Sequence, residues 1–210
     1  KHSNFILWFF PYKDKQNIFY GQNEVDCVVN ANVLRTLALL DETNTEGFRE
    51  SCEFVNDAFK NNLQNRCGVY YPTEFTLHYV AAKALKDGVS CLEQCRDTII
   101  RQIVSSQNAD GSWSSFIENN DIQSTLYAVN ALLYLGEYEK YGTVPVIENA
   151  IRYVLASAIY EGEVTYWNGG VFFSGGSAIR YVHIWRSDAF TTALAVEALI
   201  QYLKILKKRQ

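Results

Sequence analysis

The sequence predicts an all-α domain built from a repeated helical hairpin, and three observations support this. Small and apolar residues recur at helical spacing in four related segments. Amphipathic segments with more charge alternate with these four. Only 3 of the 210 residues are proline, which suits long helices because proline removes a helical N–H and clashes with the preceding turn. The pattern indicates a buried set of helices with a more polar set packed outside it.

Composition limits the class of protein. The chain is 48% hydrophobic and 20% charged, which is typical of a globular protein. We expect a single domain over residues 1–210, either an open partial form or a fragment of a larger chain. The net charge is −4 and there is no basic stripe, so nucleic acid is not an expected partner. No apolar run reaches the roughly 18–20 residues that a membrane span needs, so none is predicted.

The cysteines favour a reduced, cytoplasmic protein. Five is an odd number, and their spacing does not follow a disulfide framework. Cys91 and Cys95 lie four residues apart, but no histidine or second cysteine pair completes a zinc set near them. We therefore expect reduced thiols, a cytoplasmic location, and neither a metal nor a cofactor.

Four segments align without gaps and predict four inner helices. They cover residues 26–37, 74–85, 121–132 and 188–199. We number each from position 0, which is always a carboxylate. Position 4 can form hydrogen bonds, positions 7 and 10 are mostly small, and position 11 is always leucine. Because positions 0, 4, 7 and 11 share one face of an α-helix, each segment is predicted to be helical, with the small residues allowing close helix packing.

Amphipathic helices are predicted between the inner ones, approximately over residues 46–63, 92–106 and 146–159. The last inner segment begins about 20 residues later than the spacing of the others predicts. The extra residues form a loop rich in glycine and aromatics at 160–186. Within it, 164–167 and 171–173 are predicted to be strands that pair through Asn168-Gly169-Gly170 as a β-hairpin. A functional loop and a plain insertion are both consistent with this segment.

The segment from Gln107 to Trp113 resembles the Q-x-x-D-G-x-W motif, the QW repeat of squalene and oxidosqualene cyclases. Residues 187–199 also resemble an inner helix of that superfamily. The resemblance implies an α/α toroid like those of terpenoid cyclases and protein prenyltransferases, in which the QW element is a structural staple. Four inner and three outer helices fall short of a closed ring of five or six hairpins. The toroid is therefore expected to be partial or fragmentary, with the missing portion supplied by further chain or by a partner.

The catalytic motifs of that superfamily are missing. The D-x-D-D general acid of the protonating cyclases does not occur, and the nearest acidic stretch, 118–121, has one aspartate. The prenyltransferase zinc set needs D-x-C, but Asp26 and Cys27 are adjacent, and Thr191 stands where the histidine is expected. Neither chemistry is predicted, and no metal ligand is assigned.

A cavity mouth is expected where the inner helices begin, and candidate site residues are assigned there. The candidate catalytic residues are Asp26, Glu74, His78, Asp121 and Asp188. The candidate substrate-binding residues are Asn30, Tyr71, Thr125, Tyr127, Trp167, Trp185 and Phe190. A helix cap is the first explanation of each inner-helix carboxylate and core packing that of each aromatic residue, with the site roles as the alternative. His78 follows Glu74 by one turn, which suits either a carboxylate-oriented base or a simple hydrogen-bonded histidine.

Three functions remain open at this stage. The resemblance favours binding or processing of an apolar, isoprenoid-like ligand in the central cavity. Carboxylates at the helix starts, with aromatic residues beside them, would also suit a carbohydrate hydrolase or lyase. The third possibility is a non-catalytic scaffold. The expected partner is accordingly a small apolar or sugar-like ligand.

Overall fold

The fold is a two-layer arrangement of helices with two small β-hairpins. The computed structural model describes residues 25–68, 70–136, 141–175 and 183–209. Four helices form the inner layer, and each begins at or next to position 0 of a repeat. They are α1 (Cys27–Leu39), α4 (Phe75–Lys86), α6 (Asp121–Leu135) and α8 (Asp188–Arg209). All four predicted inner helices are confirmed.

The inner helices pack side by side in chain order. Helix α1 contacts α4, α4 contacts α6, and α6 contacts α8. In α4, α6 and α8 the small residues at positions 7 and 10 are fully buried, as the repeat predicts, whereas Val33 of α1 is half-buried and Thr36 is exposed. Those with no exposed surface are Ala81, Ala84, Ala128, Ala131, Ala195 and Ala198. The four helices form one continuous row.

The outer layer consists of α2 (Phe48–Lys60), α5 (Arg96–Ser105) and α7 (Thr143–Ala156), with a short α3 (Gln64–Cys67). Each long outer helix packs on an inner one. The predicted outer helices are confirmed, but the one expected over 92–106 is divided. Its first part is a 3₁₀ helix, Ser90–Cys95, and α5 starts at Arg96.

The predicted pairing of the loop strands is wrong, and the chain is not strictly all-α. Strand β1 (Ile159–Glu161) pairs with β2 (Val164–Tyr166), and β3 (Val171–Gly175) pairs with β4 (His183–Arg186), both antiparallel. The first hairpin turns at Gly162, whose φ of +60° suits a tight turn. Residues 164–166 therefore pair backwards along the chain instead of forwards through Asn168-Gly169-Gly170.

Four of the five cysteines form disulfides, so the prediction of reduced thiols is wrong for these four. Cys27 at the start of α1 is bonded to Cys67 at the end of α3, with Cα atoms 5.4 Å apart. Cys52 in α2 is bonded to Cys91 in the 3₁₀ helix, with a Cα separation of 6.0 Å. Cys95 is a buried free thiol. Disulfides are rare in cytosolic proteins, and the cytoplasmic location stays a prediction.

Helix α8 is longer than the other inner helices. Within the described residues, its stretch Asp188–Lys207 is long and apolar enough to cross a membrane, with 22% of that window buried. The expectation that the chain has no membrane span stays a prediction. The same criteria are met by helices in the cores of water-soluble proteins, and α8 packs against α6.

Candidate functional site

The cyclase-like motif fastens three helices together. The indole N–H of Trp113 donates to the Ile103 carbonyl near the end of α5, at 2.9 Å. Its backbone N–H donates to the Thr125 hydroxyl of α6, at 3.0 Å. Trp113 has no exposed surface. The Gln107 amide donates to the Val146 carbonyl of α7, at 2.8 Å, so the motif joins α5, α6 and α7.

A glycine within the motif permits this close packing. Gly111 has a φ of +91°, and a Cβ there would lie 2.5 Å from the Asn149 carbonyl oxygen of α7. Only glycine fits both the backbone conformation and the contact. Asp110 closes the turn by accepting hydrogen bonds from the backbone and hydroxyl of Ser112. The motif is therefore a structural staple that joins consecutive helices.

Trp167 repeats the staple one hairpin later, which the sequence reasoning missed. Its indole N–H donates to the Val154 carbonyl near the end of α7, at 2.6 Å. Its backbone N–H donates to the Thr192 hydroxyl of α8, at 3.1 Å. These bonds match those of Trp113 partner by partner. The side chain is 3% exposed, so Trp167, predicted to bind substrate, is part of the core.

Three of the candidate catalytic carboxylates bind backbone N–H groups. Asp26 accepts from the N–H groups of residues 28 and 29 and caps α1. Asp121 accepts from Ser115 N–H at 3.1 Å, and Asp188 accepts from Gly169 N–H at 2.5 Å. Ser115 and Gly169 each follow a staple tryptophan by two residues. At position 0, Asp121 and Asp188 therefore bind the loop that precedes their helix, whereas Asp26 caps its own helix.

Glu74 differs from the other three carboxylates. Among the described residues its carboxylate has no hydrogen-bond or ion-pair partner, and it does not cap α4. Burial raises the pKa of Glu74 above its usual value. A raised pKa is one of the properties that a general acid needs. Its catalytic role stays a prediction.

Position 4 of every repeat points towards the outer layer or the loop beneath it. Asn30 accepts a hydrogen bond from Ser51 of α2 at 2.8 Å. His78 lies with Nε2 3.0 Å from Gln102 Oε1 of α5. Thr125 and Thr192 bind the staple tryptophans. These side chains line the seam between the two layers and do not converge on one opening.

His78 is oriented by backbone and not by a carboxylate. Its Nδ1 lies 3.0 Å from the Glu74 backbone carbonyl oxygen. Its Nε2 likewise faces an oxygen that can only accept, Gln102 Oε1, so the single N–H of the neutral ring can donate to only one of the two. The side chain is 1% exposed, and burial lowers the pKa of His78 to about 4. His78 is therefore neutral at physiological pH.

Tyrosines cover the face of the inner layer that points away from the outer helices. We define the tyrosine wall as Tyr71, Tyr79, Tyr127 and Tyr134. Positions 6, 9 and 13 lie roughly opposite position 4 on a helix, which places Tyr127 and Tyr134 of α6 on this face. The ring of Tyr79 of α4 lies 5.4 Å from that of Tyr127 and 6.2 Å from that of Tyr134. Tyr79 and Tyr127 are 8% and 3% exposed and Tyr134 is half-buried, so the wall is a packed aromatic cluster across α4 and α6.

The phenols of the wall are neutral. Burial is the largest cause in each case, and it raises the pKa of Tyr71 and of Tyr134 to about 12. Burial also raises the pKa of Tyr79 and of Tyr127. Each phenol can therefore donate a hydrogen bond at physiological pH.

The carboxylate of Glu197 in α8 binds side-chain donors of two other inner helices, α4 and α6. It accepts hydrogen bonds from Tyr79 at 2.7 Å and from Tyr134, and Lys83 Nζ lies 3.3 Å from it. Burial opposes charge on Glu197, but the two phenols and the ammonium group together hold its pKa below the usual value. Lys83 also lies over the Tyr79 ring, 4.9 Å from its centroid. Sequence reasoning missed this Glu197 cluster (Glu197, Tyr79, Tyr134 and Lys83).

The remaining predicted binding residues lie apart from the wall. Trp185 of β4 is 47% exposed and Phe190 of α8 is 38% exposed. Trp185 packs on Phe173 with ring centroids 5.4 Å apart. Phe173 also meets Tyr71, edge to face, at 6.0 Å. The β3–β4 hairpin therefore borders the end of the wall where Tyr71 lies.

The described residues contain no group of three histidine, cysteine or acidic side chains placed to hold a metal ion. No protein-family model, curated protein or solved structure matches this chain. The family resemblance therefore depends on the staple motif and on the register of the repeat.

Proposed function

We propose that this chain is an open α/α-toroid repeat protein that binds a small, apolar, isoprenoid-like ligand against the tyrosine wall. The observation that carries the proposal is the packing of the Tyr79 ring on those of Tyr127 and Tyr134, in a cluster whose partly exposed members are Tyr71 and Tyr134. Aromatic surfaces suit apolar chains because they provide a large contact area at little cost in side-chain entropy. The phenol oxygens of Tyr79 and Tyr134, whose O–H groups donate to Glu197, can accept a hydrogen bond from a hydroxyl head group.

We infer ligand binding without catalysis because most of the candidate catalytic carboxylates have structural hydrogen bonds. Asp26, Asp121 and Asp188 each accept backbone hydrogen bonds, so each of these carboxylates has a structural role at the start of its helix. Glu197 is held by three donors. A chain without the D-x-D-D acid and the zinc trio would retain the binding surface of the superfamily it resembles without its chemistry.

Calorimetric titration with farnesol tests this proposal. We expect saturable binding to the native protein and about tenfold weaker binding to Tyr134→Ala, because the variant removes roughly 1–2 kcal/mol of ring contact. Tyr160→Ala is the matched control, since Tyr160 is 70% exposed on β1 and is not part of the wall. Absence of saturable binding, or an equal loss in both variants, would contradict the proposal.

One observation favours carbohydrate processing as a second candidate. The Glu74 carboxyl group is half-buried, has a raised pKa and lacks a described partner, as a general acid requires. Glu74→Gln preserves the shape of the side chain and removes the acid. If the native protein cleaves oligosaccharides, the variant should lose at least about a hundredfold in rate, whereas Glu93→Gln, on the exposed surface, should be unaffected. Cleavage that persists in Glu74→Gln excludes Glu74 as the acid.

A further inference from the structure

A cleft in the outer layer has no part in the proposed function. It lies between α2 and the segment formed by the 3₁₀ helix and α5, and its volume is about 710 Å³. The Cys52–Cys91 disulfide joins the two segments before the cleft, and the Gln102 amide donates to Asn62 Oδ1 at the far end, at 2.7 Å. The two segments therefore run in the same direction along the cleft. A volume of this size is typical of small-molecule sites, which range over roughly 300–1,000 Å³.

The floor of the cleft contains a polar group without a partner. Asn56 lines the cleft and is 8% exposed. Its Nδ2 group donates to the backbone carbonyls of Cys52 and Cys91, whereas its Oδ1 accepts no hydrogen bond from the described residues. Because a buried oxygen without a donor is destabilising, a ligand N–H group that reaches the floor would be favoured there.

The rim of the cleft carries opposite charges at its two ends. Glu53 and Asp57 of α2 lie towards the disulfide, whereas Lys60 of α2 and Arg101 of α5 lie towards the other end. All four side chains are exposed. Among the described residues, Asp57, Lys60 and Arg101 form no ion pair, and Glu53 meets only Arg49, at 3.9 Å. These charges are available to a ligand with a cation at one end and an anion at the other.

The spacing of the charges fits a short peptide. Glu53 and Lys60 are seven residues apart on one face of α2, which is about 10 Å along the axis at 1.5 Å per residue. An extended chain advances about 3.3–3.6 Å per residue, so the two free ends of a tripeptide are separated by a similar distance. A peptide also supplies an N–H group for Asn56 and a carboxylate that the Arg101 guanidinium group can bind through two hydrogen bonds.

We propose that this cleft binds a short zwitterionic peptide of about three residues. The ammonium group of the peptide lies at Glu53 and Asp57, and its carboxylate lies at Lys60 and Arg101. This inference is independent of the ligand-binding proposal, because the cleft is in the outer layer and the tyrosine wall faces away from that layer. Farnesol and the peptide should therefore bind without competing.

Calorimetric titration with trialanine tests the inference, at low ionic strength because salt screens exposed charges. We expect saturable binding to the native protein and about fivefold weaker binding to Arg101→Gln and to Asp57→Asn, which is the upper range for an exposed ion pair. Arg152→Gln is the matched control, because Arg152 is an exposed arginine of α7 that does not line the cleft. Circular dichroism first establishes that each variant retains native helicity.

Peptides blocked at one end assign the two ends of the cleft. Trialanine amide lacks the carboxylate and should bind the native protein about fivefold more weakly than trialanine, but Arg101→Gln should distinguish the two peptides less. N-acetyl-trialanine lacks the ammonium group and should give the same pattern with Asp57→Asn.

Three results would overturn the inference. The first is the absence of saturable trialanine binding to the native protein. The second is binding of both blocked peptides as tightly as free trialanine, and the third is an equal loss of affinity in Arg152→Gln and Arg101→Gln. Displacement of trialanine by farnesol would equally place the peptide outside this cleft.

Discussion

Trp113 and Trp167 make the same two hydrogen bonds, one hairpin apart. Each indole N–H donates to a carbonyl near the end of the preceding outer helix. Each backbone N–H donates to the threonine at position 4 of the following inner helix. The carboxylate at position 0 then binds the N–H two residues after the tryptophan. The repeat is therefore a repeat of contacts as well as of sequence, and it explains why positions 0 and 4 carry polar residues.

The two staples are predicted to contribute similarly to stability. Replacing either tryptophan by phenylalanine removes the indole N–H, leaves a buried carbonyl without its donor and opens a small cavity. We expect Trp113→Phe and Trp167→Phe each to lower the free energy of unfolding by about 2–3 kcal/mol in urea titrations. Trp185→Phe, at an exposed site, should change it by less than about 0.5 kcal/mol. A loss of unfolding free energy in Trp113→Phe but not in Trp167→Phe would contradict the prediction that the two tryptophans contribute similarly.

Gly111 is predicted to be irreplaceable because of its contact, not only because of its φ. Gly88 has a similar φ of +99°, but no atom lies within 4 Å of the place that a Cβ would occupy there, so Gly88→Ala should cost about 1 kcal/mol. Gly111→Ala must also displace the Asn149 carbonyl, and we expect a loss of about 3 kcal/mol or more. Thermal unfolding of both variants measures the difference. Equal losses of stability in the two variants would show that α7 can shift away from residue 111 at little cost in free energy.

Two disulfides are predicted to contribute a large part of the stability. The loops closed by Cys27–Cys67 and Cys52–Cys91 span 40 and 39 residues, for which loop-closure entropy gives about 4 kcal/mol each. Titration of the unreduced, denatured protein should detect one thiol, that of Cys95, and five after reduction. Detection of five thiols before reduction would contradict the bonds and would favour the cytoplasmic location predicted from the sequence.

Stability is predicted to fall with acidity because of His78. Burial lowers its pKa to about 4 from a value of 6.5 in the unfolded chain. Between these two values the unfolded chain binds the proton and the folded one does not. The free energy of unfolding should therefore decrease as the pH falls from 6.5 to 4, by about 3 kcal/mol, and should level off below.

The variant His78→Gln isolates this contribution, because glutamine can form hydrogen bonds but does not titrate. We expect the native protein to exceed the variant in unfolding free energy by about 3 kcal/mol more at pH 7 than at pH 4. Urea titrations at both values provide the comparison. If the native protein and the variant differ in unfolding free energy by the same amount at pH 7 and at pH 4, a group other than His78 causes the acid sensitivity.

The inner helices could be predicted because their register is encoded locally, by a carboxylate, small residues and leucine within twelve positions. The second staple escaped prediction because Trp167 lies 21 residues before Asp188, whereas Trp113 lies eight before Asp121, and only folding makes these distances equivalent. The Gly162-Glu163 turn was a usable signal for the first hairpin. The disulfides and the Glu197 cluster join residues distant in sequence, so no local pattern could reveal them.

The most direct test of the proposed binding surface is an NMR measurement on protein with labelled tyrosine rings and unlabelled farnesol. We predict intermolecular nuclear Overhauser effects from the isoprenoid methyl protons to the partly exposed rings of Tyr71 and Tyr134, and none to the exposed ring of Tyr160. Effects on Tyr160 alone, or no intermolecular effects at saturating farnesol, would contradict the tyrosine wall as the ligand site.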